Sequence, residues 1–387
     1  RREKRWNASG ISLCEGFLYG GIIMERKLKT YQLELKVKGP VFVGSGNEIH
    51  KKEYLFLNNN TIGVADGAKL YALANKLHLQ SDFEKFMVQD AREDLKRWSM
   101  RNHVPMNELK KCMKYVENAG DIERNKGKMQ IMSCIADPYG NPYVPGSSLK
   151  GMLRTILLGA DILKNNSGYK ADATQIESDL EDKRKNRNVL SRNIKKIEKK
   201  AFDKIIMTGE EEAEIDKMSG IIVSDSEPLS REDIILCQKW EQNVEGRYKT
   251  LNLLRECIKP GTVIKSTLTI DETVSNIKKE DILEAVKLFY RQYYQTFQSK
   301  FPNNDRGNDR TVFLGGGSGF ASKTIIYPLF GDQKGIRVTK DIFDRTKVPE
   351  NHGHYKDPRL GASPHILKCT RYKGREYMMG QCEINIF

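Results

Sequence analysis

Polar and apolar residues alternate at both ends of the chain and follow a helical period in between. Tyr31, Leu33, Leu35 and Val37 in "YQLELKV" alternate with polar partners, which predicts a half-buried strand. Gly39-Pro40 marks a bend, and "KKEYLFLNNNTIGVAD" predicts a hairpin turning at Asn58–Asn60. From Ala68 to about Asn118 the period becomes helical, with a strand-like piece before "DPYGNPYVPG". Leu149, Leu153, Ile156 and Leu157 then recur at i, i+4, i+7 and i+8, the stripe of an amphipathic helix. "SGIIVSDSEPL" predicts a buried strand ending in a turn, and "TLNLLRECIKPGTVIKSTLTI" a strand pair bent at Pro260-Gly261. An aromatic-rich helix over about 279–299 follows, its stripe of Phe289, Tyr290, Tyr293 and Phe297 expected to face a core. "FLGGGSGF" links a strand to a helix, and the final 23 residues alternate as a hairpin with Lys373-Gly374 at its turn. Interleaved helices and hairpins predict an α+β fold with antiparallel sheet.

Two segments depart from this pattern. Residues 1–23 begin without methionine and are set aside from the fold as a leader. Residues 161–217 mix charges of both signs at helical spacing with few apolar positions, which predicts a solvated, largely mobile region.

Composition narrows the partners. The 387 residues carry a formal charge of +14, with 39% hydrophobic residues, enough for a core, and no apolar run long enough to span a membrane. A basic chain of this kind has nucleic acid as its leading polyanionic partner. Seven scattered cysteines without a C-x-x-C pair point to reduced thiols and a cytoplasmic setting. His352 and His354 form an H-x-H without a cysteine or an acidic cluster beside it in sequence, so no metal is assigned, and no cofactor.

The densest chemistry lies in "YVPGSSLKGMLRTILL". Pro145-Gly146 breaks the chain, Ser147 or Ser148 is a suitable N-cap, and Ser147, Lys150, Gly151 and Arg154 share a face away from the leucines. Hydroxyls, two cations and free N–H groups together suit a phosphate, although a capped core helix with solvated cations accounts for the same letters. "GGGSGF" lacks the lysine that a Walker loop needs directly after its last glycine, and Phe320 replaces the third glycine of a dinucleotide fingerprint. It remains a flexible loop able to lie against phosphates or against the sheet. Two acid–base candidates stand out: His50, with Lys51 or Tyr54, and Asp225 in "VSDS", which equally suits a turn cap.

In order, "GPVFVGSG", "NPYVPGSSLKGMLRTILL", "IIVSDS" and "FLGGGSGF" resemble the RAMP superfamily of CRISPR proteins. "QKW" and "LLRECIKPGT" resemble, within it, the subunit of the type III-A (Csm) effector that caps the guide RNA 3′ end. The resemblance implies a ferredoxin-like (RRM-like) core within about 24–270, with insertions at about 68–130 and 161–217, and a RAMP-like part over 271–387. It implies a non-catalytic subunit that binds crRNA and, through it, target RNA, and supports crRNA maturation. Its implied neighbours are other Csm subunits, especially the backbone RAMP subunit, and a host nuclease. The implied RNA contacts are Gly44, Ser45, Ser147, Ser148, Lys150, Gly151, Arg154, Lys239, Gly315, Gly316, Gly317 and Lys323. The competing expectation is a metal-independent endoribonuclease that processes the guide around His50.

Overall fold

A computed structural model describes residues 17–19, 22–24, 26–89, 93–123, 129–182, 188–208, 211–302 and 305–387. Cys14 and most of the 1–23 leader lie outside the described residues. Phe17–Tyr19 and Ile22–Met24 pair with each other as an antiparallel ribbon.

Two sheets organise the chain. The first has five antiparallel strands in the order Ile221–Val223, Val263–Asp271, Leu28–Val37, Gln381–Ile386 and Thr311–Phe313. As the alternation predicts, Leu33, Leu35 and Val37 are buried, joined by Ile264, Leu268 and Ile384. Against them lie helices Gly146–Lys164 and Lys279–Thr296, whose Leu149, Leu153, Ile156, Ile282, Val286 and Phe289 complete one apolar cluster. Burying such side chains is the main term that holds this layer together.

The second sheet has nine strands, running from Gly44–Ile49 through Gln130–Cys134, Tyr248–Ile258, Ile234–Asn243, Met113–Asn118 and Thr61–Ala65 to Tyr54–Phe56. Ile366–Tyr372 joins the far end of Ile234–Asn243 and pairs with Arg375–Met378. Lys373 and Gly374 link these last two with φ of 52° and 73°, as a two-residue hairpin turn with both central residues left-handed requires. Two pairings in this sheet are parallel, Gln130–Cys134 with Tyr248–Ile258 and Met113–Asn118 with Ile234–Asn243, so the expectation of antiparallel sheet holds in full only for the first.

Three further expectations are corrected. The strands flanking Pro260-Gly261 do not pair with each other; Gly261, at φ 95°, passes the chain from the nine-stranded to the five-stranded sheet. Alternation inside "MKYVEN" ends the helical stretch early, and Met113–Asn118 is a strand. The charged 161–217 region is packed where it is described. Helices Lys170–Glu181 and Val189–Phe202 send Ile176, Ile197 and Phe202 into the main core, and the buried Asn193 amide donates to Asp179 at 2.9 Å. Few apolar positions suffice because they recur on one face of each helix.

The nine-stranded sheet buries two carboxyl groups side by side, Glu117 and Glu256. Glu256 accepts the Tyr115 hydroxyl at 2.5 Å and the Cys134 N–H at 2.9 Å, with the Arg231 guanidinium 3.9 Å away. Burial first, and then the charge of Glu256, push Glu117 well above the ordinary carboxylate range. The folded chain therefore holds a proton that the unfolded chain has released, so this group lowers stability progressively as pH rises above the unfolded carboxylate value. Glu117→Gln is expected to raise the urea midpoint relative to wild type at pH 8 and to lose that advantage near pH 4; equal gaps at both pH values contradict the assignment.

Candidate nucleic-acid interface

The helix that carries the serines and cations begins at Gly146, with Pro145 in extended conformation as its N-cap. Neither Ser147 nor Ser148 caps it. The cap arrives from elsewhere in the chain: Asp225 Oδ1 accepts the Gly146 N–H at 2.7 Å, and Ser226 Oγ accepts the Val144 N–H at 2.9 Å. A Cβ on Gly146 would lie 2.2 Å from the Val223 carbonyl, so glycine is what allows the strand end to approach. A carboxylate at a helix amino end also meets the positive pole of the backbone dipoles. Asp225 is thus a cap across the chain, not an Asx turn on its own backbone.

Beyond the first turn the two cations diverge. Arg154 Nη1 pairs with Asp216 at 2.9 Å and Nη2 with Glu198 at 3.6 Å, while the guanidinium carbon lies 4.9 Å from the centre of the Phe202 ring. The charged insertion therefore holds Arg154. Lys150 is half-buried; burial lowers its pKa and the charge of Asp216 opposes that shift.

Across from the helix runs the glycine-rich loop after Thr311–Phe313. Gly316 N–H donates to Phe42 O at 2.6 Å, and Leu314 N–H to Gly380 O at 2.8 Å. Gly315, at φ 79°, would place a Cβ 2.2 Å from the same Phe42 oxygen, which excludes a side chain on conformational and steric grounds together. The Lys323 amine donates back to the Gly315 carbonyl. A cleft of about 510 Å³ separates helix and loop, and Gly44, Ser148, Gly151, Gly315, Gly316 and Lys323 all line it. The aromatic rings of Tyr290 and Tyr293 form part of its wall.

The other six expected residues lie outside that lining. Ser147 is exposed on the first helical turn, and Ser45 exchanges a 2.7 Å hydrogen bond with Ser133 at the sheet edge. Gly317 sits against Arg255, and Lys239 pairs with Glu241 at 3.2 Å on Ile234–Asn243. Glu241 is shared with Lys368, whose stem lies 3.6 Å from the Cβ position of Gly319. Lys239 thus belongs to the far flank of the glycine loop.

Arg255 is the residue that sequence reasoning passed over. It projects from Tyr248–Ile258 with its guanidinium carbon 5.4 Å from the Phe42 ring centre and Nη1 3.0 Å from the Cβ position of Gly317. Among the described residues no carboxylate pairs with it, and its buried Nε has no hydrogen-bond partner. Burial lowers its pKa, and its charge in turn adds to the burial that lowers that of Lys323. The only hint in sequence was an arginine within the apolar stretch "LNLLRECI".

Tyr54 is buried and donates its hydroxyl to Met129 O at 2.8 Å; burial pushes its pKa up to about 12. It is placed as a packing group, not as a proton shuttle beside the exposed His50. No helix among the described residues is long and apolar enough to cross a membrane.

Comparison with known proteins gives the family of the chain. The chain belongs to the RAMP superfamily, whose family model matches residues 34–320. It is similar to the CRISPR system Cms protein Csm5 of Mycobacterium tuberculosis (strain CDC 1551 / Oshkosh), 30% identical over 389 residues that cover 94% of this chain and 99% of that protein. The Csm5 protein of Streptococcus thermophilus is 27% identical over 344 residues, covering 84% and 90%. Among solved structures, a chain of the cryo-EM Csm-crRNA-target RNA ternary complex of a type III-A CRISPR-Cas system aligns with TM-score 0.60 at 18% identity, over 92% of this chain and 100% of that one. The crystal structure of T.onnurineus Csm5 aligns with TM-score 0.56 at 18% identity, over 90% and 99%.

Removing the Asp225 carboxylate should act on stability. Asp225→Ala is expected to cost about 0.5–2 kcal/mol in urea unfolding, the range for loss of a helix cap. An unchanged unfolding midpoint would show that the carboxylate does not cap the helix.

Proposed function

We propose that this chain is a Csm5-type subunit of a type III-A CRISPR ribonucleoprotein, binding the 3′ region of the crRNA without cleaving it and capping the filament of backbone subunits. The observation that carries the RNA-binding part is Arg255, an arginine with no acidic partner among the described residues, beside a glycine-rich loop and Lys323. A guanidinium with no carboxylate of its own has unused donors for a phosphodiester, and bare glycine backbone lets the strand approach closely. Single-stranded RNA is held by such cationic tracks with aromatic platforms, largely independent of sequence. Lys150 and Ser147 extend the track along the helix face. Arg154 contributes only by exchanging Asp216 and Glu198 for phosphate, which makes it a weaker contact than its sequence position promised.

The ferredoxin-like core is part of the same proposal. In support, the four strands Leu28–Val37, Ile221–Val223, Val263–Asp271 and Gln381–Ile386 adopt the spatial order 2-3-1-4, with helix Gly146–Lys164 after the first and Lys279–Thr296 after the third, so this core extends past the expected 24–270 into the C-terminal part. Partners follow from the reading: crRNA, target RNA through it, the backbone RAMP subunit and a recruited nuclease, in the cytoplasm.

Fluorescence anisotropy with a labelled single-stranded guide-like RNA, repeated over a salt series, tests the RNA assignment. Binding should weaken with salt, and Arg255→Gln and Lys323→Gln should each flatten the log–log slope by about 0.7, one phosphate contact apiece. Slopes identical to wild type in both variants would remove the phosphate assignment. In parallel, end-labelled RNA should keep its length; shortening that disappears in His50→Ala would install the ribonuclease instead.

A further inference from the structure

A second cluster lies on the far side of the glycine-rich loop from the cleft. His354 in the turn His354–Lys356, Asp357 at the start of the short helix Asp357–Leu360, and His365 just before Ile366–Tyr372 converge on one point. One ligand atom from each lies within 4.8 Å of the other two. His354 Nδ1 is 3.0 Å from Asp357 Oδ2, His365 Nδ1 contacts Oδ1, and the Ser363 hydroxyl donates to Oδ2 at 2.6 Å. The ring centres of His354 and His365 are 5.4 Å apart, and that of His352 is 6.0 Å from His354.

We infer that His354, Asp357 and His365 form a binding site for a divalent transition-metal ion of the zinc type. Asp357 is 0% exposed, and among the described residues no lysine or arginine pairs with it. Two neutral imidazoles would leave a net negative charge in the interior, which hydrogen bonds solvate but do not balance. A dication bound through the two Nδ1 atoms and the carboxylate reverses that sign. The 3.0 Å separation between His354 Nδ1 and Asp357 Oδ2 is about the edge of a coordination polyhedron with bonds of about 2.0–2.1 Å. Two imidazole nitrogens and one carboxylate form a donor set that suits zinc, cobalt or nickel and disfavours magnesium and calcium. On binding, each Nδ1 gives up its proton, which moves to Nε2 of the same ring or, from a charged imidazolium, to water. The carboxylate stays ionised and no electrons move. Ser363 then acts in the outer shell, fixing the carboxylate that holds the ion.

The position gives the ion a task. His365 leads directly into Ile366–Tyr372, which carries Lys368 alongside Gly319. The other wall is Phe343, whose ring centre is 4.4 Å from His354 and 5.2 Å from Phe320 at the end of "GGGSGF". A bound ion would tie these three segments into one rigid support for the glycine-rich loop. His354 and His365 keep 9% and 15% of their side-chain surface exposed, so the site lies close to solvent.

The untagged full chain, stripped with EDTA and dialysed, is titrated with Zn(II), Co(II) and Mg(II) separately. One zinc per chain should survive desalting, Co(II) should show visible ligand-field bands, Mg(II) should not bind, and saturating zinc should raise the melting midpoint by roughly 5 °C. Asp357→Asn and His365→Gln, which can still hydrogen-bond, should each weaken zinc binding by more than about tenfold, the lower range for disturbing a metal's surroundings. Substoichiometric zinc in wild type overturns the site, as does zinc retained at full affinity in both variants. X-ray absorption at the zinc edge of the unmutated chain decides independently of folding defects: a nitrogen/oxygen shell with imidazole scattering supports the assignment, and a sulfur shell transfers the metal to the cysteines and overturns it.

Discussion

The five-stranded sheet buries its apolar face against Gly146–Lys164 and Lys279–Thr296, and Asp225 marks the start of the first of these helices by accepting its first N–H. Free N–H groups at the start of a buried helix are costly to desolvate, and a carboxylate supplied from the neighbouring strand end removes that cost at one of them. The clamp fixes where the helix begins, and so which of its faces sees the sheet and which sees the cleft. Leu149, Leu153 and Leu157 point into the main core; Ser148 and Gly151 line the cleft toward the glycine-rich loop.

The cleft depends next on how the two sheets are joined. Tyr248–Ile258 belongs to the nine-stranded sheet and Val263–Asp271 to the five-stranded one, with Gly261 turning the chain between them. This brings Arg255 beneath Gly317 and sets Phe42, whose carbonyl holds Gly316, between the two layers. A cation without a carboxylate is expensive to maintain in such a place unless a ligand shares it. The contrast with Arg154 is instructive: its two carboxylate neighbours come from an insertion whose own helices are anchored in the core.

Charge in the interior is handled in three ways. Glu117 keeps a proton beside Glu256; Arg154 is neutralised by neighbours; Asp357 gathers imidazoles and a hydroxyl. In Asp357 the same burial that raises a carboxyl pKa is outweighed by hydrogen bonds from His354, His365 and Ser363, which hold it below the ordinary value. Only the last arrangement gathers three metal-ligating side chains on one point.

Local pattern alone determined the strand Leu28–Val37, the helix stripe Leu149–Leu153–Ile156–Leu157, the Lys373-Gly374 turn and the glycine-rich loop, because period and turn chemistry are properties of neighbouring residues. Of the twelve contacts that the family resemblance implied, the fold gathers six around one cleft, where the helix start and the glycine-rich loop face each other. Tertiary structure decided the rest. Asp225 lies 79 residues from the N–H it caps, Arg154 meets partners 44 and 62 residues away, and Arg255 differs from any other strand arginine only through what the fold leaves out around it. In sequence the H-x-H of His352 and His354 is assigned no metal because His365, eleven residues on, joins His354 and Asp357 only when the turn, the short helix and the strand end close on one another. Sequence fixes which groups are available; the distances between them, and the dielectric in which they act, arise only on folding.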